Sequence, residues 1–123
     1  MAKAGIQQQY GLFINGEFVP ASDGAAFDAH NPANGEHLAY FAEATKEDVD
    51  AAVKAARAAL PEWSKTSPIE RQNILLKIAD IIDANLDHLA LVETLDNGKP
   101  IRETTAADIP LGSDHFRYFA GCL

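Results

Sequence analysis

Glu93-Thr-Leu-Asp-Asn-Gly-Lys-Pro100 separates two apolar segments of the chain. Within it, Asp96-Asn97-Gly98 is a strong turn signal, because asparagine and glycine accept positive φ at low cost. Gly98 suits the left-handed residue that closes a helix, and Pro100 cannot continue that same helix. Physical chemistry alone therefore reads the octapeptide as a helix terminus. A strand-like region and two capped helices precede it, and one more helical stretch follows.

Toward the N-terminus the pattern changes from helical to strand periodicity. Leu12-Phe-Ile14 and Glu17-Phe-Val19 flank Asn15-Gly16, two short apolar runs about a hairpin dipeptide. Pro20-Ala-Ser-Asp-Gly24 interrupts the strand. Ala26–His30 reads as a third strand, Asn31-Pro32 through Gly35 as a turn, and His37–Ala42 as a fourth strand. Two hairpins predict a small antiparallel sheet, which needs helices laid on it to be stable. Met1–Gln9 is polar and reads as a frayed, disordered tail.

Thr45 suits an N-cap, with Glu47 and Asp48 placing negative charge at the positive end of a helix. Val49, Ala52, Val53, Ala56, Ala59 and Leu60 repeat at helical spacing along Lys46–Leu60, and Pro61 is expected to end that helix. Trp63 then has two readings, a plug between helices or a binding residue. Ser67-Pro68-Ile69-Glu70 is a capping box with proline in the first helical position, opening a helix over Pro68–Ala84. Its buried stripe is Ile74, Leu75, Ile78, Ala79, Ile82 and Leu86; Arg71, Lys77, Asp80 and Asp83 read as solvated. A shorter helix runs over Leu86–Leu95. Pro100 opens a further turn through Ala107, and Asp108 is expected to cap a last helix to Cys122, with Gly112, Phe116, Phe119 and Leu123 on one side. The predicted fold class is α+β, a small antiparallel sheet followed by a helical bundle, in a single domain spanning residues 1–123.

Composition narrows the function. The chain has 123 residues, 47% of them apolar, enough for one domain with a core. A formal net charge of −8 disfavours a nucleic-acid partner. The single cysteine excludes an internal disulfide. Neither a signal-like nor a membrane-length apolar run is present, so no membrane partner and a cytoplasmic location are expected.

Several motifs in sequence then resemble the NAD(P)-dependent aldehyde dehydrogenases, from Phe13 onward. The octapeptide is similar to a signature in the N-terminal part of that family. Phe13-Ile-Asn-Gly-Glu-Phe18 resembles its opening strand, Asn31-Pro-Ala-Asn-Gly-Glu36 its Asn-Pro-x-x-Gly-Glu turn, Lys46–Arg57 its first helix, and Phe116-Arg-Tyr-Phe-Ala120 a following motif. Ile101-Arg-Glu-Thr104 and the Asp-His-Phe-Arg-Tyr-Phe-Ala stretch are most similar to the bacterial acetaldehyde-oxidising branch. The resemblance implies the N-terminal piece of the cofactor-binding domain of a longer α/β enzyme, cut or naturally truncated after Leu123. It implies an oxidoreductase that turns an acetaldehyde-like substrate into a carboxylic acid with NAD or NADP. A homo-oligomer is expected. The alternative is a truncated, non-catalytic paralogue acting as an oligomerisation or interaction module.

The family reaction needs a cysteine nucleophile, a glutamate that activates water, an oxyanion-holding amide and a dinucleotide-binding βαβ unit. No position here matches any of these, so no catalytic or cofactor-binding residue is assigned to this chain, and no bound NAD is expected for it alone. Cys122 reads as a nucleophile or as a small apolar helix residue, and it lacks a neighbouring base in sequence. His30, His37, His88 and His115 show no zinc spacing. Asp108, Asp114 and His115 allow an acid–base reading, although a surface helix offers the same letters. Gly11, Gly16, Gly24 and Gly35 form no Gly-x-Gly-x-x-Gly loop. The resemblance finally implies a structural Na+ or K+ held by the main-chain carbonyls of Ala29 and His30 and by Asp96. Against it stands a plain reading in which Asp96 caps the Asn97-Gly98 turn.

Overall fold

The computed structural model describes residues 5–122, and the chain divides between Lys65 and Thr66 into two compact units. Each is described by itself.

The first unit begins with β1 (Gln9–Tyr10), β2 (Leu12–Ile14), β3 (Glu17–Val19), β4 (Ala26–His30) and β5 (His37–Ala42). These strands form two sheets instead of the single antiparallel one expected. β2 and β3 pair antiparallel, Leu12 opposite Val19 and Ile14 opposite Glu17, and make a two-stranded ribbon. Asn15 and Gly16 join them with φ of 55° and 86°, the positive values that a two-residue hairpin connection requires. The second sheet has the order β1-β5-β4 and is mixed. β4 runs antiparallel to β5, and β1 runs parallel to it with Gln9 opposite Tyr40 and Tyr10 opposite Phe41. Gln9, expected in the frayed tail, therefore starts a strand; the tail positions Met1–Ala4 lie outside the described residues. An aromatic stack supports this pairing. The Tyr10 and Phe41 rings lie 4.9 Å apart at 12°, and Phe27 stacks on Phe41 at 5.8 Å.

Asn31 closes the β4–β5 connection. Its side-chain oxygen accepts the Ala33 N–H at 2.9 Å, and its carbonyl accepts the Gly35 N–H at 2.8 Å. The first helix, α1 (Lys46–Trp63), starts at the Thr45 cap as expected. Thr45 and Asp48 form a reciprocal capping box, and the Asp48 carboxylate also accepts the Ser22 N–H at 3.1 Å. The Thr45 and Ser22 backbone N–H groups hold the Asp48 carboxyl below the usual aspartate range. Pro61 does not end α1. The helix continues through Trp63 because proline removes only the bond to the Arg57 carbonyl, which lies near an exposed helix end open to solvent. The Ser64 N–H resumes the pattern to the Leu60 carbonyl at 2.8 Å.

The second unit contains α2 (Pro68–Ala84), α3 (Leu86–Asn97), α4 (Ile101–Glu103) and α5 (Ile109–Ala120). Ser67 and Glu70 form the expected capping box at the start of α2, and the Ser67 hydroxyl holds the Glu70 carboxyl below its usual range. Gly98 closes α3 in the left-handed conformation, with its N–H bonded to the Thr94 carbonyl. Asp108 is not a cap. It has helical φ and ψ, makes no capping bond, and lies in a π-helical turn over Thr104–Asp108 that joins α4 to α5. Pro110 has no N–H to give, and the Ile109 N–H reaches back five residues to the Thr104 carbonyl. The core is built from small residues: Ala79, Ala90, Thr104, Ser113 and Ala120 are buried. α2 packs chiefly on α5. The last residue assigned to the apolar side of α5, Leu123, lies outside the described residues.

Candidate functional site

The candidate cation ligands fall in different units. Ala29 and His30 lie at the end of β4, an edge strand, where the register with β5 shifts between them. Such an irregularity interrupts the ladder and leaves main-chain groups unpaired. Asp96 lies in the last turn of α3, exposed, where helix carbonyls lack intrahelical donors. The turn-capping role read for Asp96 belongs to its neighbour. The Asn97 side-chain oxygen accepts the Lys99 N–H at 2.8 Å, and its amide donates to Glu93 at 2.6 Å. Oxygen-only donors of this kind suit a hard monovalent cation.

Other candidate groups are engaged elsewhere. Asp108 pairs with the Lys99 ammonium at 2.6 Å, which raises the lysine above its usual range. The His115 ring nitrogen lies 2.7 Å from the Leu111 carbonyl one turn back. These contacts do not assemble Asp108, Asp114 and His115 into an acid–base pair. The Cys122 thiol is exposed and donates to the Tyr118 carbonyl at 3.4 Å, a bond internal to its own helix end. His37 faces Asp28 at 3.2 Å and meets the His30 ring edge-on at 5.6 Å. Among the described residues no group of three or more His, Cys, Asp or Glu side chains is placed to hold a metal ion.

Sequence patterning passed over two features. Arg117 bridges Asp80 at 2.9 Å and Asp83 at 2.7 Å, carboxylates that had read as merely solvated. The Ser113 hydroxyl and then Arg117 hold the Asp83 carboxyl below its usual range. Asp80 and Asp83 are one helical turn apart, which does place them on one face, but nothing local in sequence identifies a partner more than thirty residues away. The second feature is an apolar depression of about 390 Å³ on α5, lined by Leu111, Asp114, His115, Tyr118 and Phe119.

Residues 18–123 match the aldehyde dehydrogenase family, and the chain belongs to that family. It is 56% identical over 118 residues to an acetaldehyde dehydrogenase of Pseudomonas aeruginosa, covering 96% of this chain and 23% of that protein. It is 50% identical over 122 residues to a long-chain-aldehyde dehydrogenase of an Acinetobacter species, covering 99% of this chain and 24% of that one. The fold matches a Bacillus cereus aldehyde dehydrogenase solved with NAD+ at a TM-score of 0.92 and 42% identity, over 97% of this chain and 25% of the other. The chain thus spans about a quarter of the length of these relatives.

Proposed function

We propose that these residues form the N-terminal part of the cofactor-binding domain of an NAD(P)-dependent aldehyde dehydrogenase. In the whole enzyme an acetaldehyde-like substrate is oxidised to its carboxylic acid, with hydride passing to the nicotinamide. The observation that carries this reading is the 56% identity to an acetaldehyde dehydrogenase across 96% of the chain. The comparable identity to a long-chain-aldehyde dehydrogenase supports placing substrate choice in other segments of the enzyme. The chain's role is architectural: it buries and positions, and the nucleophile, the water-activating base and the dinucleotide loop come from elsewhere in the enzyme. The isolated chain is accordingly inactive. Incubating it with acetaldehyde and NAD+ or NADP+ should give no absorbance of reduced nicotinamide, while the chain joined to the remainder of a related enzyme should restore it. Turnover by the purified isolated chain would overturn the assignment of chemistry to other segments.

In the same reading, the Ala29 and His30 carbonyls and the Asp96 carboxylate supply oxygen ligands to Na+ or K+ in the whole enzyme. The support is the interrupted ladder at Ala29–His30 and the exposed Asp96 carboxylate at a helix C-terminus, where a cation offsets its charge. Anomalous signal from Tl+ or Rb+ beside Asp96 in crystals of the whole enzyme is the expected result. Its absence at saturating ion would remove the cation.

The exposed Phe13, Phe18, Tyr118 and Phe119 favour a second reading, in which the chain alone acts as an association module.

A further inference from the structure

The chain contains three Asn-Gly pairs, at 15–16, 34–35 and 97–98. Such a pair carries latent chemistry, because glycine has no side chain to obstruct its own amide nitrogen. That nitrogen can attack the side-chain carbonyl carbon of the preceding asparagine. A bond forms from the glycine nitrogen to Cγ, the Cγ–Nδ2 bond breaks, and ammonia departs carrying the amide proton. Water then opens the resulting five-membered imide at either carbonyl, giving aspartate or a β-linked isoaspartate. No oxidant or enzyme is required.

The three pairs differ in what must first be broken. At 97–98 the asparagine side chain is held at both ends, by Glu93 at 2.6 Å and the Lys99 N–H at 2.8 Å, and the attacking Gly98 N–H is bonded to the Thr94 carbonyl at 3.0 Å. At 34–35 the Asn34 oxygen accepts the Glu36 N–H at 3.0 Å, and the Gly35 N–H is bonded to the Asn31 carbonyl at 2.8 Å. At 15–16, among the described residues, neither the Asn15 side chain nor the Gly16 N–H makes a hydrogen bond. The pair sits in an exposed connection, with open space around Gly16 as there is around Gly35, so the hydrogen bonds and not access set the two apart. The connection joins strands of three residues in a ribbon of only two strands beside Ala52, Ala55, Ala56 and Ala59 of α1, and so short a pairing opens locally to let the Gly16 nitrogen turn toward Asn15 Cγ.

We propose that Asn15 is a selective self-deamidation site, converted through attack by the Gly16 amide into aspartate and isoaspartate ahead of the other two pairs. Isoaspartate adds a methylene to the main chain at a connection whose register depends on two residues with positive φ. The modified hairpin therefore loses the facing contact of Phe13 and Phe18, whose rings now lie 5.0 Å apart. The product is also a substrate, by its chemistry, for an isoaspartyl carboxyl methyltransferase.

The test is incubation of the purified chain at mildly alkaline pH. Amide-to-acid conversion is localised by tandem mass spectrometry, and isoaspartate is counted as methyl groups accepted from such a methyltransferase. Asn15 should convert at least about tenfold faster than Asn34 or Asn97, since the two or three hydrogen bonds to be broken first at those pairs together cost more than about 1.4 kcal/mol, the equivalent of that factor. In denaturing urea the three rates should converge, because the differences are those of the fold. Equal rates in the folded chain, or a lead for Asn34 or Asn97, would overturn the proposal. A lead for Asn15 that persists unchanged in urea would overturn it as well, since the order would then owe nothing to the structure.

Discussion

Thr104 shows how much one buried hydroxyl organises. It is fully buried, shares a hydrogen bond with the Thr94 hydroxyl at 2.9 Å, and donates to the Ile101 carbonyl at 3.1 Å. Thr104→Val keeps the shape and strands the Thr94 hydroxyl, so stability should fall by about 1–3 kcal/mol in urea unfolding. Arg117 acts through charge. Arg117→Gln leaves Asp80 and Asp83 facing each other across one helical turn, so the thermal midpoint should drop, and added salt should narrow the gap from wild type. The pH dependence has two sides. Asp48, Glu70 and Asp83 have lowered carboxyls in the fold, so their stabilisation is complete above the ordinary carboxylate range. It is lost as pH falls from about 4 through the lowered folded values. Lys99 and Arg117 are raised, so their contribution is complete below their ordinary ranges and fades only as pH rises through the raised values, above about 10 for the lysine. A plot of melting temperature against pH should therefore be flat near neutrality and fall on the acid side. Asp83→Asn should lessen the acid slope. The carboxylates themselves were visible in sequence, but their distant partners, Ser22 for Asp48 and Arg117 for Asp83, were not.

Elements whose ends are set by neighbouring residues were legible. Thr45, Ser67 and Gly98 each act within three or four positions, and each stands where its chemistry predicts. Thr45 does more than cap, since its hydroxyl also meets Ser22 at 2.8 Å. Ser67→Ala should cost about 1 kcal/mol and Thr45→Ala more, a ranking that urea midpoints of the two variants can check. Proline misled in two ways. Pro61 sits so close to an exposed helix end that the lost hydrogen bond falls to solvent. Pro110 does not begin a fresh helix behind Asp108, because the π turn at Thr104–Asp108 absorbs its missing donor and keeps one helical path. Strand pairing was legible in part, since the β2–β3 and β4–β5 hairpins stand as expected. β1 finds β5 across thirty residues, a parallel match that no local alternation announces.

At the scale of the whole chain, large apolar side chains remain open to solvent: Phe18 is 72% exposed, Tyr118 67% and Phe13 64%. Sedimentation of the isolated chain should show self-association that grows with concentration, and Phe13→Ser with Phe18→Ser should weaken it; a strictly monomeric wild type would contradict this. The family motifs made the fold recognisable, yet the face that each helix buries was only half readable. Val49, Val53 and Leu60 have the spacing of a core face and are all about half exposed in this chain. The small residues at the heart of the helical unit carry a different consequence. Ala79, Ala90 and Ala120 are already alanine, so a conventional alanine scan passes over these fully buried positions. Sensitivity there runs the other way. Adding even the methyl groups of valine should separate the helices, costing about 1–3 kcal/mol per site. In a saturation library these positions would stand out as intolerant of size, with glycine and serine as the survivors, so that the most buried positions of the unit would be found by enlarging residues.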